Sequence, residues 1–302
     1  MANNKLSIRL WDVEHGLAIW IQTPNGQNHW IDAGKIAEDP QKGETGFDPA
    51  GWVKSNYGVK SLDYLIITHP DEDHYNGLPE LSSVFDPIKI LCRNKEFINN
   101  RTKELFGKDH LSDADIKNLK ADKQTLYSMH KKYNQSVNWN ENPQNPEVNG
   151  NVTIQTYYAP YTDDISVNNA SIIVFYKYKN NLFVVPGDIE EPGWNEVYTI
   201  NKVKIDEIVS NADSVVLVAP HHGRKTGYTQ NMIDVLKPTL ILVSDKYGKG
   251  ETDSRFYSAA SGYPVNEKLE HLVSTKTSGR IFIEINQNGA MSISKPLSTL
   301  LS

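Results

Sequence analysis

The chain has 302 residues, enough for two domains or one large α/β unit, and its 31 Lys plus Arg against 37 Asp plus Glu give a net charge of −6. That balance excludes a surface coated uniformly in positive charge, so any nucleic-acid contact must come from a local basic patch. A single cysteine, Cys92, excludes an internal disulfide and a thiolate-rich metal cluster, so histidine and carboxylate groups would have to hold any metal.

Membrane insertion and secretion are also not expected. No run approaches the ~18 apolar residues that a membrane helix needs. The first residues, MANNKLSIRLWDVEHG, lack the apolar stretch and small-residue cleavage site of a signal peptide. We therefore expect a cytoplasmic protein with no membrane partner.

The first third of the chain is predicted to consist of short strands. Alternating or continuous apolar runs occur at 6–11, 17–23, 29–32 and 62–68, and Pro24-Asn25-Gly26 marks a hairpin turn between the second and third. Residues 35–60 are polar and rich in Gly and Pro, which predicts a loop with one helical turn. Residues 77–85 show helical spacing.

The segment 93–150 differs from its surroundings, because it is polar, rich in Lys, Asn and Asp, and helically spaced around its few apolar residues. We predict an inserted helical lobe, or lid, within a single domain spanning 1–302. Beyond it, strands are predicted at 152–158, 171–178, 182–186, 214–219, 240–244 and 280–285, with helices at 191–200 and 230–236. Strands interleaved with helices in both halves favour two sheets with helices packed outside.

The most specific chemical signal is Thr68-His69-Pro70-Asp71-Glu72-Asp73-His74, where a buried strand opens into a loop. Imidazole and carboxylate together suit Zn²⁺, Mn²⁺ or Fe²⁺, and a loop lets several side chains converge on one point. A polar turn that caps the following helix would need only one of these residues.

Three weaker signals repeat the arrangement of an apolar strand followed by an acid or a histidine. They are Gly187-Asp188 after 182–186, Pro220-His221-His222-Gly223 after 214–219, and Asp32-Ala33-Gly34 after 29–31. Alone, Gly187-Asp188 and Asp32-Ala33-Gly34 are typical of turns, whereas two adjacent histidines in a loop are more specific than a lone histidine. Their recurrence indicates a site, because strand ends are where sites assemble in α/β folds.

Taken in order, these motifs resemble the metallo-β-lactamase fold superfamily, and most of all the hydrolase domain of ComEC-like DNA-uptake proteins and related free-standing phosphodiesterases. The likeness runs from about Lys5 to Ile285, apart from 93–150. It is carried by Asp12-Val13-Glu14-His15-Gly16-Leu17-Ala18, by His69, Asp71, Asp73 and His74 as H-x-D-x-D-H, by Asn168-Asn169-Ala170-Ser171, by Gly187-Asp188-Ile189-Glu190, and by Pro220 to Gly223.

The resemblance implies a four-layer αββα sandwich with two divalent metal ions, Zn²⁺ or Mn²⁺, in the cleft between the sheets. Carried over by position, His69 and Asp71 face one ion, Asp73 and His74 face the other, Asp188 bridges them, and the His221-His222 pair adds a ligand. We favour His222 as that ligand and place His221 closer to substrate. Asp73 or Asp188 would take a proton from the attacking water, and His221 would donate one to the leaving oxygen.

The chain departs from the family pattern at three places. Asn168 or Asn169 stands near the position of the usual third-motif histidine, Leu17 replaces an acid, and Arg224 replaces a small residue. Arginine suits a phosphate, which it can grip through two parallel hydrogen bonds. The residues expected to contact substrate are Asn168, Asn169, Arg224, Lys225 and Tyr247, with Lys246 and Arg255 as weaker candidates.

The function predicted first is a metal-dependent phosphodiesterase or nuclease that acts on DNA, RNA or a nucleotide through a metal-activated hydroxide. The segment 93–150 has ten Lys and Arg against eight Asp and Glu, and five of its aromatic residues are candidates to stack on bases: Phe97, Phe106, Tyr127, Tyr133 and Trp139. One alternative is a hydrolase of a small ester, lactone, phosphocholine-type ester or cyclic nucleotide, which the acidic net charge favours slightly. The other is a catalytically dead binding module of the same fold.

Overall fold

The fold was analysed in a computed structural model that describes residues 4–36, 46–134, 144–246 and 252–295. Two β-sheets dominate it. The first has the strand order β15-β14-β1-β2-β3-β4-β5, antiparallel from β15 to β3 and parallel from β3 to β5. Its strands are β1 Leu6–Leu10, β2 Ala18–Gln22, β3 Asn28–Ala33, β4 Leu62–Ile66, β5 Ile88–Cys92, β14 Ile281–Ile285 and β15 Met291–Ser294.

The second sheet has the order β13-β10-β9-β8-β7-β6, parallel from β13 to β8 and antiparallel from β8 to β6. Its strands are β6 Thr153–Tyr157, β7 Ile173–Tyr178, β8 Asn181–Val185, β9 Ser214–Val218, β10 Leu240–Val243 and β13 Leu272–Ser274. A separate two-stranded ribbon pairs β11 Tyr263–Val265 with β12 Lys268–Glu270.

The helices occupy the outer faces of the two sheets. Those that follow the strands of the first sheet are α1 Pro49–Tyr57, α2 Glu72–Tyr75, α3 Leu78–Val84, α4 Lys95–Asn100, α5 Thr102–Phe106, α6 Asp113–Lys117 and α7 Ala121–Lys132. Those of the second half are α8 Glu191–Ser210, α9 Gln230–Leu236, α10 Arg255–Ser258 and α11 Thr275–Ser278.

Three apolar clusters show that the layers follow the predicted αββα order. One cluster lies between the sheets and joins residues such as Ile8 and Ile66 of the first sheet to Val174 and Val216 of the second. A second packs the outer face of the first sheet against its helices, and a third does the same for the second sheet with α8 and α9. Strands such as β1, β8 and β10 therefore bury both faces, which explains the nearly continuous apolar runs in the sequence.

Residues 93–134 contain helices α4, α5, α6 and α7, which pack onto the first sheet's outer layer. Ile98, Phe106, Leu126 and Met129 belong to the same cluster as the apolar residues of α1 and α3. The side-chain amide of Asn94 donates a hydrogen bond to the carbonyl oxygen of Ala170 at 3.0 Å, which ties this segment to the second half of the chain.

Two details differ from the sequence predictions. The loop predicted for 35–60 contains α1, which Asp48 begins by accepting hydrogen bonds from the amides of Ala50 and Gly51, and which Gly58 ends at φ +67°. Strands β5, β11, β12, β13 and β15 were not predicted from the sequence. Among the described residues, no helix is long and apolar enough to span a membrane.

Candidate metal centre

The side chains predicted to bind metal meet where strands of both sheets end. His69 and His74 follow β4, Asp188 follows β8, and His222 follows β9. Because these strands are parallel to a neighbour within their sheets, their carboxyl ends lie at one edge. The inter-sheet cleft at this edge brings together residues that lie about 150 positions apart in the sequence.

Four of these residues form a compact group whose ligand atoms all lie within 4.8 Å of one another: Asp73, His74, Asp188 and His222. The Nε2 atoms of His74 and His222 are 3.3 Å apart. Nε2 of His74 is 3.2 Å from Oδ1 of Asp188, and Nε2 of His222 is 3.1 Å from Oδ2 of Asp73. Ligand atoms around one tetrahedral zinc ion are about 3.3 Å apart, given Zn–N bonds of about 2.0 Å.

Hydrogen bonds at Nδ1 set the direction in which each of these imidazoles faces. Nδ1 of His222 lies 3.0 Å from the carbonyl oxygen of Ser244, which can only accept, so Nδ1 carries the proton. Nδ1 of His74 lies 2.7 Å from Oδ2 of the fully buried Asp32. In the neutral rings the Nε2 lone pairs therefore face each other and the two carboxylates, an arrangement that repels unless a cation lies between them. This donor set fits a divalent metal ion.

The pKa shifts of His222 and Asp188 also favour a cation at the centre of this group. Burial works to lower the pKa of His222, but the carboxylates of Asp188 and Asp73 raise it to about 9. Burial likewise opposes ionisation of Asp188, yet the neighbouring imidazoles of His222 and His74 hold its pKa well below the usual range. The pocket thus favours positive charge at its centre, which a metal ion supplies.

His69 lies beside this group and extends it. Its Nδ1 is 3.1 Å from the hydroxyl oxygen of Thr68, and its buried Nε2 has no hydrogen-bond partner among the described residues. That Nε2 is 3.5 Å from Oδ2 of Asp71 and 3.9 Å from Oδ2 of Asp188. An orphaned buried nitrogen beside two carboxylates fits a second ion on this side of Asp188.

Backbone conformation holds the ligands in place. His221 and His222 have φ values of +49° and +53°, a left-handed conformation that costs on the order of 1–3 kcal/mol per non-glycine residue and persists only when the surroundings enforce it. A Cβ on Gly34 would lie 2.9 Å from the carbonyl oxygen of Asp73 and as close to the backbone of Leu17. The glycine lets the loop that carries Asp73 and His74 pack directly on the loop after β1.

Comparison with known proteins finds one matching family model. Residues 44–163, less than half of the chain, match the family model of the metallo-beta-lactamase superfamily. ComE operon protein 3 of Bacillus subtilis (strain 168) is 26% identical over 187 residues, which is 62% of this chain but only 20% of that relative's length.

Through residues 44–163, the chain resembles the metallo-β-lactamase superfamily. The predicted recognition and the αββα fold class are confirmed. The crystal structure of a "Putative metal-dependent hydrolase" from Parabacteroides distasonis ATCC 8503 is 13% identical, with a TM-score of 0.43 over 90% of this chain and 94% of that one.

The residues expected to contact substrate have different environments. The amide oxygen of Asn169 accepts hydrogen bonds from the backbone N–H groups of Glu190 and Gly193 at 3.1 Å each, so this side chain caps the start of α8. Asn168 precedes it in a single 3-10 turn. Lys225 is exposed, and Tyr247 lies outside the described residues.

Arg224 lies at the site, held by a buried acid. Its Nη2 is 3.0 Å from Oδ1 of the fully buried Asp245 and 3.4 Å from Nδ1 of His15. Arg255 lies apart from it, paired with Asp253 on the surface. The anchoring of Arg224 by Asp245 fixes its guanidinium beside the cleft.

Three further residues of the site were not assigned roles from the sequence. Asp32 orients His74, and His15 lies with Nε2 3.6 Å from Oδ2 of Asp73 and its ring centroid 4.5 Å from that of His222. Glu190 lies with Oε1 3.3 Å from Nδ1 of His221. Asp32, His15 and Glu190 all fall inside motifs singled out in the sequence, but the patterns do not say which atoms they contact.

A cleft of about 390 Å³ opens beside the metal centre on the side of Asp73. Its charged lining includes both signs, with Lys246 paired to Glu14 at 2.6 Å and Lys35 paired to Glu80 outside the cleft. The residues that line the cleft are Val13, Glu14, His15, Lys35, Ile36, Glu72, Asp73, Asn76 and Lys246.

The aromatic residues of 93–150 are largely unavailable for base stacking, contrary to the prediction. Phe97, Phe106 and Tyr127 are at most 6% exposed and pack in the apolar core. Tyr133 is half-buried, and its hydroxyl donates to the carbonyl oxygen of Ile88 at 2.6 Å. Trp139 lies outside the described residues.

Proposed function

We propose that this metallo-β-lactamase domain is a metal-dependent phosphodiesterase. The observation that carries the proposal is the convergence of His and Asp ligand atoms at the strand ends, with every ring of the group directed inward by a partner at Nδ1. A fold retained only for binding would not need this set of oriented donors, so the geometry favours an enzyme over a dead module.

Asp73, His74, Asp188 and His222 would hold one divalent ion, and His69 and Asp71 would extend the site toward a second. Such ions supply Lewis acidity, which lowers the pKa of water and offsets charge on phosphoryl oxygens. The remaining chemistry falls to the side chains around them.

Asp73 is the group placed to accept a proton at the cleft. Its side chain is 25% exposed, whereas that of Asp188 is 7% exposed, and it lines the cleft directly. The hydrogen bond from His222 and the charge of His74 outweigh the effect of burial and hold the pKa of Asp73 below its usual value. The carboxylate therefore stays ionised at neutral pH, and its position at the cleft, rather than its basicity, makes it the proton acceptor in this proposal.

Phosphate specificity is assigned to the cations at the cleft. Arg224 is fixed by Asp245, and Lys35 and Lys246 line the opening beside Asp73. Arginine that is already oriented loses little side-chain entropy when it grips a phosphate. A phosphodiester, which is charged before it reacts, would gain more from these cations in the bound state than a neutral ester or lactone would.

We propose a nucleotide or short nucleic-acid end as the substrate. The cleft volume is at the small end of the range for ligand pockets, about 300–1,000 Å³. Burial of Phe97, Phe106 and Tyr127 takes these three rings out of any surface on which the bases of a long single strand would stack. Both observations support a compact phosphodiester rather than a polymer bound along a groove.

The test is a cleavage assay with Mn²⁺, Zn²⁺ or Mg²⁺ on cyclic nucleotides, dinucleotides and labelled single- and double-stranded DNA and RNA, with a neutral aryl ester as the comparison. We expect turnover of phosphodiesters that Asp73→Asn reduces by at least 100-fold. His110→Asn, which changes an exposed histidine, is the matched control and should keep wild-type activity. Turnover of the neutral ester alone, with every metal, would refute the proposal.

A further inference from the structure

His15 lines the cleft and contacts both Arg224 and the metal centre, although it is not one of the four clustered residues. Its Nδ1 is 3.4 Å from Nη2 of Arg224, and its Nε2 is 3.6 Å from Oδ2 of Asp73. The ring centroid lies 4.5 Å from that of His222, and the side chain is 32% exposed. One nitrogen of the imidazole therefore faces Arg224, and the other faces the wall of the cleft that Asp73 forms.

Arg224 determines which nitrogen of His15 carries the proton. A guanidinium group has N–H donors and no acceptor, so Nδ1 of His15 has to accept from Nη2 of Arg224. Nη2 also lies 3.0 Å from Oδ1 of the buried Asp245, so its pair of hydrogens serves these two acceptors. The proton of the neutral ring of His15 then belongs on Nε2, the nitrogen on the cleft side.

This tautomer is the opposite of the one in the adjacent ring of His222. Nδ1 of His222 lies 3.0 Å from the carbonyl oxygen of Ser244, so its proton is on Nδ1 and its lone pair is on Nε2. A histidine binds metal through the nitrogen that carries the lone pair, and the hydrogen bond at the other nitrogen decides which one that is. His15 therefore presents an N–H group to the cleft, where His222 presents a ligand atom.

The same contact makes His15 a donor that keeps its proton. A neutral imidazole that released the proton on Nε2 would become an anion, because Arg224 stays charged and passes no proton to Nδ1. A second proton on Nδ1 would face an N–H of Arg224 with no acceptor between them. The ring thus suits a fixed hydrogen bond to an oxygen in the cleft and does not suit general acid catalysis.

The backbone holds His15 at this position. Glu14 has a φ of +60°, a left-handed conformation that persists in a non-glycine residue only where the surroundings enforce it. The carbonyl oxygen of Gly16 accepts from the hydroxyl of Ser244 at 2.6 Å, and a Cβ on Gly16 would lie 2.6 Å from the carbonyl oxygen of Asp73. The loop that carries His15 is therefore packed directly on two loops of the metal centre.

We propose that His15 is a substrate-binding residue whose Nε2–H donates to a phosphoryl oxygen in the cleft, with Arg224 as its positioning residue. The non-bridging oxygens of a phosphodiester only accept hydrogen bonds and carry negative charge, so they complement an N–H group that is backed by a cation. The identity of the acceptor rests on the proposed function, whereas the tautomer rests on the contacts of His15 alone.

The tautomer is tested by nitrogen-15 nuclear magnetic resonance of the Zn²⁺-loaded protein with labelled histidine, in which His15→Gln identifies the signals of His15. We expect a proton on Nε2 in the wild type and a mixture of tautomers in Arg224→Met, which lacks the donor. Inorganic phosphate should shift the Nε2–H proton signal downfield. A wild-type His15 with its proton on Nδ1, an unchanged tautomer in Arg224→Met, or no shift with saturating phosphate would overturn the inference.

Activity on bis(p-nitrophenyl) phosphate separates a hydrogen bond from proton transfer. We expect His15→Ala to lower kcat/KM by about 10–100-fold, the usual loss for a hydrogen bond to a charged group. His15→Gln should recover most of that loss, because its amide N–H₂ donates but exchanges no proton with substrate. His110→Ala, which removes an exposed histidine, is the matched control.

The zinc content should be the same in all of these proteins. His15→Gln as inactive as His15→Ala would overturn the donor role, and loss of zinc from both would show that His15 is a ligand. A wild type that has the expected tautomer and the phosphate-dependent shift but cleaves no phosphodiester would refute the proposed function and leave the directed donor standing.

Discussion

Asp32→Asn tests how the buried carboxylate controls the metal centre. Oδ1 of Asp32 accepts a hydrogen bond from the backbone N–H of Thr68 at 2.7 Å, and Oδ2 accepts from the Thr68 hydroxyl at 2.6 Å and from Nδ1 of His74 at 2.7 Å. Asparagine has the same size and tolerates the φ of +53° at this position. The substitution therefore changes hydrogen-bond chemistry and leaves shape and backbone intact.

The expected loss of metal affinity follows from the change in protonation of His74. The new amide N–H₂ can only donate, so His74 must accept at Nδ1 and place its proton on Nε2, the atom that lies 3.2 Å from Asp188. Metal binding then has to displace that proton. We expect affinity to fall by about 10–100-fold, or about 1.4–2.7 kcal/mol. If the amide rotates so that its oxygen again faces His74, its N–H₂ group points at the backbone N–H of Thr68. Two donors then face each other without an acceptor, which costs about 1–3 kcal/mol.

Affinity is measured by titration calorimetry or by competition with a chromophoric chelator at pH 7.5. Asp63→Asn is the matched control, since Asp63 on the adjacent strand β4 accepts from the Asn28 amide at 2.8 Å and from Lys89 at 2.6 Å, away from the centre. The control should bind metal as the wild type does. Wild-type affinity in folded Asp32→Asn would show that orientation of His74 does not depend on this carboxylate.

Three other predictions concern stability and packing. Burial lowers the pKa of His29 to about 4 from an unfolded value of 6.5, so at pH 5 the unfolded chain binds a proton that the folded chain does not. Acidification from pH 7.5 to 5 should therefore lower the free energy of unfolding by about 2 kcal/mol through this residue. Urea unfolding of the wild type and of His29→Asn at both pH values measures this loss, and an equal loss in the two proteins would refute the prediction. Gly34→Ala, whose Cβ meets three backbone atoms at 2.9 Å, should destabilise the fold by about 1–3 kcal/mol and weaken metal binding. Gly58→Ala, where a Cβ meets nothing within 4 Å, should leave metal binding unchanged. Phe106→Ala should lower the free energy of unfolding by about 3–5 kcal/mol in urea, while the folded variant keeps its activity on nucleic acid. Loss of that activity alone, with stability unchanged, would instead support the predicted stacking of Phe106 on bases.

Apolar strands ending in acids and histidines were visible in the sequence because a strand buried on both faces must be apolar along its length. The apolar run before Gly187-Asp188 forms β8, and the run before His69 forms β4, both with nearly the predicted bounds. Helix α1 was predicted only as one helical turn within a loop, because only three of its nine residues are buried and it has no continuous apolar face. Asp48, Pro49 and Gly58 are nevertheless ordinary start and stop residues of a helix.

Roles that depend on a partner distant in sequence could not be predicted from local patterns. Asp32 and His74 are 42 residues apart and meet because β3 and β4 pair in parallel with His29 opposite Tyr64. Glu190 and His221 meet because β8 and β9 are neighbours in the second sheet. A shift of register by one residue would turn either contact away from the centre.

The residue types needed for the centre, and their positions at strand ends, were therefore determined by the sequence alone. The tertiary structure decided three other features: the burial of Phe97, Phe106 and Tyr127, the role of Asn169 as a helix cap, and the direction in which each histidine of the metal centre faces. The physical reason is that the residue type alone determines whether a side chain can bind metal. The direction of a histidine lone pair, in contrast, depends on the group that is hydrogen-bonded to the other ring nitrogen. Only folding brings that group into contact with the ring.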